Sequence, residues 1–201
     1  LLAFFADHGE ELHDHGRMWH GQSVYGEMIR VPLILSGPGV EAQPPRDETV
    51  ELVDLMPTLL ESVGLPVPKA AQGDSLRPLL TNGRSGKWTP RPALAEKHPM
   101  GSPDFPSAAV SYAIVDGPWK LIHNLARPPG KPEFELFEFL ADPRDQKDLA
   151  GRHPDVVARL ARALESWKAS ARAARLAPDS ATGAGMTTEQ LEKLRSLGYL
   201  N

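Results

Sequence analysis

The sequence predicts an α/β fold in which strands and helices alternate first and a small antiparallel sheet packed by one long helix follows. Three observations carry this expectation. The chain opens on a continuous apolar run, "LLAFFA" at residues 1–6, of the kind found in a central parallel strand covered on both faces. Residues 50–68, "VELVDLMPTLLESVGLPVP", then switch to helical spacing. Beyond residue 110, short strand-like runs precede a long amphipathic stretch at residues 153–176, the order of an antiparallel sheet with a packing helix.

Taken in order, the opening strand ends at a loop carrying Asp7, His8 and Gly9, and strands of this class present functional residues at their C-terminal ends. A second apolar run, Val31 to Leu35, is stopped by Gly37-Pro38-Gly39. Pro32 is tolerated at the start of a strand. Residues 41–49 form a polar loop. Leu55, Leu59, Leu60 and Val63 then mark one apolar helix face, with Asp54 as the cap, Pro57 in the first turn, and Gly64 and Pro66 as stop signals. "DSLRPLL", residues 74–80, gives a further helical turn, and the Gly/Pro-rich residues 81–92 mark a boundary.

In the second half, "SYAIVDGPWKLIHN", residues 111–124, reads as a hairpin turning at Asp116-Gly117. "FELFEFL", residues 134–140, adds a strand. Val156, Val157, Leu160, Leu164, Trp167 and Ala171 recur every three or four residues behind Pro154, a suitable first helical residue. A tether over 177–187 and a short helix ending at Gly198 complete the chain. The expected division is 1–85, 86–176 and 177–201.

The totals exclude several classes. The chain has 201 residues, 41% hydrophobic and 24% charged, with net charge −4 and no cysteine. Disulfides, thiolate metal sites and a cysteine nucleophile are therefore absent from these residues. The interspersed charges give no nucleic-acid footprint, and no apolar run is long enough for a membrane span. The chain opens on Leu1 inside a strand-like run and reads as a C-terminal portion of a longer protein. Its compartment is not indicated.

Four of the seven histidines fall in "FFADHGEELHDHGRMWHG", residues 4–21. An Asp-His pair leaving a strand suits a divalent cation, the carboxylate giving charge and the imidazole a neutral nitrogen. Two adjacent residues cannot close a coordination sphere, and the H-E-x-x-H spacing of a zincin is absent. A solvated loop is the competing reading. Glu10, Glu11, His13 and Asp14 are expected on the surface, and Trp19 is expected to pack. Glu96, Lys97 and His98 are expected at a solvated strand end, with the border of a substrate cleft as the alternative.

The cluster is followed by "HGQSVYGEMIRVPLILSGPGV", "VELVDLMPTLLESVGLPVP" and "QGDSLRPLL", and later by "WKLIHN", "ELFEFLADPRDQKDLA" and "LEKLRSLGYL". In that order these resemble the C-terminal part of the sulfatase family in the alkaline phosphatase superfamily, with its SDHGE, RVPLI, GPG, DLxPTLL, GLP and GxSLxPLL motifs. The resemblance spans nearly the whole chain. Ala6 stands for the usual Ser, Gly26-Glu27 for an acidic pair, and Phe137-Glu138 for Tyr-Asp.

The resemblance implies the end of an alkaline-phosphatase-like mixed sheet sandwiched by helices, and a metal-dependent hydrolase of sulfate esters. Asp7 and His8 match the pair that binds the cation, Ca²⁺ first, with Mn²⁺ or Zn²⁺ as alternatives. His20 matches the His or Lys that contacts the ester or assists the leaving group. His15 matches a frequent histidine with a less defined substrate role. Arg30-Val31-Pro32 and Asp54 fall at structural motif positions. The chemistry agrees: sulfate ester hydrolysis needs charge neutralised on the sulfate oxygens and a proton for the leaving alkoxide.

The family's formylglycine nucleophile, made from Cys or Ser in C/S-x-P-x-R, has no counterpart here, since "SGPGV" carries Val40 where Arg belongs. The expectation is half an active site, completed by an upstream N-terminal half and acting on a small-molecule or glycan sulfate ester. The alternatives are a phosphodiesterase, a phosphonate monoester hydrolase or a phosphoethanolamine-type transferase of the same superfamily, or a non-catalytic module whose helix at 154–175 binds a partner.

Overall fold

The structure, a computed structural model, describes residues 1–102, 105–107, 110–126, 130–175 and 187–196. The opening run forms β1 (Leu2–Phe5), followed by the short pair β2 (Glu11–Leu12) and β3 (Met18–Trp19). One turn of helix, α1 (Gly26–Ile29), leads into β4 (Leu33–Ser36). β1 pairs antiparallel with β4, Phe4 opposite Ile34 and Leu2 opposite Ser36. This corrects the expectation of a parallel strand covered on both faces: Leu2, Phe4, Phe5 and Ile34 are exposed. A continuous apolar run reports that a strand can be covered, but it carries no information on which neighbour pairs with it or in which direction.

The predicted helix is α2 (Leu55–Ser62), preceded by a 3₁₀ turn at Leu52–Asp54. Leu55, Pro57 and Thr58 form its buried side, while Val63 is exposed and does not extend the apolar face. Asp54 does not cap α2 through its side chain. It closes a capping box with Glu51 one turn earlier and also accepts the Asp74 backbone N–H at 2.8 Å. Arg91 bridges Glu51, Asp54 and Asp74, tying the segment after α3 (Arg77–Leu80) back to α2.

β5 (Ala93–Lys97), the pair β6 (Met100–Ser102) and β7 (Phe105–Ser107), β8 (Val110–Asp116), β9 (Trp119–Ala126) and β10 (Phe134–Glu138) follow. Four of them make an antiparallel sheet in the order β10-β9-β8-β5. The β8–β9 hairpin turns through Gly117, at φ 59°, and Pro118. A left-handed glycine before a residue whose ring fixes negative φ is the pattern of a type II′ turn, whose twist suits paired strands.

Period-two alternation sorts the sheet's side chains onto two faces. Ile114, Leu121 and Leu136 pack on Leu160 and Leu164 of α4 (Pro154–Ala173). Ala113, Ile122 and Phe137 point the other way, onto Val24 and Tyr25 beside α1. The apolar stripe of α4 is thus occupied by the chain's own sheet, as the simplest reading of its periodicity expects. α5 (Thr188–Ser196) begins with a capping box between Thr187 and Gln190. Of the expected tether over residues 177–187 only Thr187 is described, as the cap of α5, and the helix stop at Gly198 lies outside the described residues. No helix of the described residues is long and apolar enough to cross a membrane.

The two parts of the chain meet at a buried polar junction. Lys120 of β9 is fully buried and ion-pairs with Asp145, whose carboxylate also accepts the Gly26 N–H at 2.7 Å. Burial pushes Lys120 down and Asp145 up, and each partner's charge opposes the shift of the other. Tyr25 donates to Glu135 at 2.7 Å, and Asn124 donates to the other oxygen of that carboxylate at 2.6 Å. Burial, reinforced by Glu135, raises the Tyr25 phenol far above its ordinary range and keeps it a neutral donor.

Candidate active site

The site is built where β1 ends. Gly9 lets the loop settle on α1: a Cβ there would come within 1.8 Å of the Glu27 carbonyl oxygen. The Gly9 and Glu10 N–H groups donate to the carbonyls of Met28 and Glu27, at 2.8 and 3.2 Å. No side chain fits that approach, so the turn after His8 is fixed by backbone packing.

Asp7 Oδ1 accepts the His8 backbone N–H at 3.0 Å, and His8 Nδ1 lies 2.8 Å from the Gly9 carbonyl oxygen. A carbonyl only accepts, so Nδ1 carries the proton and the lone pair of the neutral ring is on Nε2. That Nε2 is 3.9 Å from Asp7 Oδ2. Two such donors can share one cation bound at roughly 2.0–2.6 Å from each. A ligating histidine whose other nitrogen donates to a carbonyl is the usual way of fixing its orientation. The residues present therefore fit a divalent cation as two of its ligands. Among the described residues no three His, Asp or Glu side chains gather as a complete metal-binding group.

His20 arrives from β3 and stacks on His8, with ring centroids 4.5 Å apart and planes 29° from parallel. Its Nδ1 is 3.4 Å from Glu10 Oε2. The turn that carries it is braced, because Arg17 donates to the Gln22 carbonyl at 2.7 Å and Gln22 donates to that of Met18 at 2.6 Å. Asp7, His8 and His20 line one open cleft of about 1680 Å³, which continues past β4 and the 41–51 loop to the end of β5.

His15 is placed elsewhere. Its Nδ1 meets Glu27 Oε1 at 2.7 Å, its Nε2 meets the Asp145 carbonyl at 3.0 Å, and its ring lies flat on Tyr25 at 3.6 Å. Both nitrogens are engaged by the protein, and His15 does not line the cleft. The structure thus brings together three of the four singled-out residues and makes His15 part of the junction between the chain's two parts.

Two surface expectations are corrected, those for Glu11 and Lys97. Glu10 is exposed as expected, and its carboxylate faces His20. Glu11 is fully buried within reach of the Lys97 and Lys131 ammonium groups, both from outside its own hairpin. Lys97 is also buried, and Glu96, Lys97 and His98 line the cleft; desolvation, helped by Arg17, lowers the Lys97 ammonium below its usual range. His13 and Asp14 are exposed as expected. Trp19 is 58% exposed and does not pack. Arg30 braces the cleft wall, donating to the Phe139 carbonyl at 2.8 Å and lying over the Phe139 ring. Glu10 had a local signal, its place directly after Asp-His-Gly. The burial of Glu11 and Lys97 depends on contacts between distant segments and had none.

The family model for the C-terminal part of N-sulphoglucosamine sulphohydrolase matches residues 14–170. Arylsulfatase K of Mus musculus is 29% identical over 171 residues, covering 83% of this chain and 30% of that protein. A Δ4,5-hexuronate-2-O-sulfatase of Bacteroides thetaiotaomicron is 33% identical over 154 residues, covering 75% and 30%. Among solved structures, a phosphonate monoester hydrolase from Silicibacter pomeroyi superposes with TM-score 0.65 at 28% identity, covering 84% of this chain and 34% of that one. The chain thus spans about a third of the length of the relatives it matches.

Proposed function

The chain belongs to the sulfatase family of the alkaline phosphatase superfamily, and from that premise we propose that it supplies the cation-binding and leaving-group side of a sulfuric ester hydrolase. Asp7 and His8 hold a divalent cation, Ca²⁺ by preference. A cation held there would supply charge neutralisation at the sulfate oxygens. His20 lies beside the ester oxygen and delivers a proton to the departing alcohol as the S–O bond breaks. Over the whole reaction the oxygen of one water ends bonded to sulfur in the released sulfate, and a proton of that water replaces the one His20 gave to the alcohol. The side-by-side placement of Asp7, His8 and His20 at the mouth of one cleft carries this reading. The substrate is an ester of a small molecule or glycan.

These 201 residues contain no cysteine and no C/S-x-P-x-R segment. In this reading the formylglycine nucleophile and the remaining metal carboxylates lie in an N-terminal half that the longer relatives possess, and that half covers the exposed face of Leu2, Phe4 and Ile34. The test is turnover of 4-nitrophenyl sulfate by the full-length protein, before and after chelation. Activity should vanish on chelation and return with Ca²⁺, and His20→Ala should cost roughly 10²–10⁴-fold in kcat. A cation at ~100 times its Kd should stabilise the protein by about 2.7 kcal/mol, and Asp7→Asn should remove that gain. Turnover by residues 1–201 alone, or indifference to every divalent cation, would overturn the proposal.

A second reading, phosphonate or phosphate ester hydrolysis, is favoured by the likeness to the phosphonate monoester hydrolase. It wins if 4-nitrophenyl phenylphosphonate is turned over faster than the sulfate.

A further inference from the structure

We propose that Glu10 is a positioning residue for the leaving-group step: its carboxylate accepts the Nδ1–H of His20 and so leaves Nε2 of that ring for the ester. The proposal rests on the reading of His20 as the proton donor to the departing alcohol.

The short hairpin places the pair. β2 and β3 run antiparallel, with Leu12 opposite Met18 and Glu11 opposite Trp19. One step further along that register Glu10 stands opposite His20. Directly opposed residues of an antiparallel pair bring their side chains together, and Glu10 Oε2 lies 3.4 Å from His20 Nδ1. That is long for a hydrogen bond, as catalytic hydrogen bonds commonly are before substrate closes the site. Both ends are anchored. The Gly9 and Glu10 N–H groups sit on the carbonyls of Met28 and Glu27, and Arg17 and Gln22 brace the turn that carries His20.

Stability does not account for the contact. The Glu10 and His20 side chains are 42% and 49% exposed, and ion pairs in that setting contribute little to folding. Orientation does account for it. The His20 ring stacks on His8, which fixes its plane. A half-turn about the bond to the ring preserves that plane and puts carbon where each nitrogen was. Glu10 breaks the tie, because only the Nδ1 edge carries a strong donor for its carboxylate. His8 is held in the same way by the Gly9 carbonyl, so both rings of the stack are locked at Nδ1. The remaining nitrogen of His20 then serves the cleft that this residue lines. In the step itself Nε2 gives its proton to the alcohol oxygen, which keeps the electron pair of the broken S–O bond. The neutral ring left behind retains its Nδ1–H on Glu10. Holding a proton donor in the productive orientation lowers the barrier without adding a substrate contact.

The experiment uses the full-length protein as wild type, Glu10→Ala, Glu10→Gln and His20→Ala, with 4-nitrophenyl sulfate and phenyl sulfate. Phenolate is the more basic leaving group and needs the proton more. Glu10→Ala should lower kcat for phenyl sulfate roughly tenfold or more, and for 4-nitrophenyl sulfate by less. KM and the Ca²⁺-dependent rise in melting temperature should stay as in wild type, since Glu10 binds neither the ground-state ester nor the cation. Glu10→Gln, whose amide oxygen accepts the same N–H, should keep most of the wild-type kcat. Equal losses on the two esters, a weakened response to Ca²⁺, or a Glu10→Gln as slow as Glu10→Ala would overturn the proposal. If His20→Ala costs nothing, the reading of His20 and this inference fall together. If His20→Ala is slow and Glu10→Ala is not, this inference falls alone. If wild type turns over neither ester, the hydrolase reading fails separately, and ¹⁵N NMR of histidine-labelled protein above the imidazole titration range decides the contact. An Nδ1–H tautomer at His20 that is lost in Glu10→Ala supports it, and a tautomer indifferent to Glu10 refutes it.

Discussion

The strand pair β1–β4 and the sheet β10-β9-β8-β5 are written in the same apolar vocabulary, yet they end in opposite environments. Phe4 and Ile34 face each other across β1–β4 and are both more than half exposed, whereas Ile114, Leu121 and Leu136 are sealed under Leu160 and Leu164. The second sheet is covered on one face by α4 and on the other by residues beside α1. The difference lies in connectivity. β8 and β9 are joined by a two-residue turn, β10 begins eight residues after β9 ends, and a helix of matching period follows, so their cover is local in sequence. β1 and β4 find only each other within these residues. The lesson is that one part carries its own cover, while the residues proposed to carry the chemistry, Asp7, His8 and His20, sit on the part whose apolar surface is open.

That comparison breaks most severely at the junction of the two parts. Replacing Lys120 by Met leaves Asp145 buried beside the Gly26 N–H without its counter-charge. Removing one partner of a buried pair costs about 3–5 kcal/mol, and a urea melt should show that loss. Because the junction also holds α1, on which the Asp7-His8 turn rests through Gly9, the variant should weaken cation-dependent stabilisation as well. If Lys120→Met melts like wild type, the two parts are not coupled through this pair.

Paired substitutions sharpen the contrast within the cores. Leu164 has no exposed surface, and its replacement by Ala should cost about 2–5 kcal/mol through lost transfer energy and a residual cavity. Phe4→Ser, on the open face, should change the stability of residues 1–201 by no more than about 0.5 kcal/mol. The same Phe4→Ser in the full-length protein should be several times more costly if an N-terminal half covers β1–β4. Equal effects in both contexts would mean that the face stays open.

Local patterns made much of this legible in the sequence. The period of Leu160, Leu164 and Trp167 placed α4, the Asp116-Gly117 step placed the hairpin, and the Asp-His pair at the end of β1 was visible as a cation candidate. What stayed hidden depends on distant contacts. Asp54 looks like a helix cap because Asp commonly is one, but its oxygens serve Glu51, Asp74 and Arg91. His15 shares a loop with His20, yet a 130-residue excursion brings the Asp145 carbonyl to its ring. Trp19 offers no sequence signal at all, since its left-handed φ of 74° follows no propensity of an aromatic residue.

The smallest expected effect tests whether the sealed part is also the pH-sensitive one. His123 of β9 is buried against the Phe134 ring, between Glu133 and Glu165, with Lys168 close by. Burial, assisted by Lys168, lowers its affinity for a proton, and the two carboxylates only partly offset this. In the unfolded chain the same imidazole titrates near about 6.5. Above that pH neither state holds the proton and nothing is lost. As the pH falls below it, the unfolded state takes up a proton that the folded state resists, so stability declines until the depressed folded value is passed and then levels. His123→Phe, which keeps a ring against Phe134, should remove that portion of the acid-side decline. Urea melts of both forms at pH 7 and pH 5 measure it, the gap between wild type and variant shifting in the variant's favour at pH 5. A gap independent of pH would mean that His123 keeps its proton balance on folding.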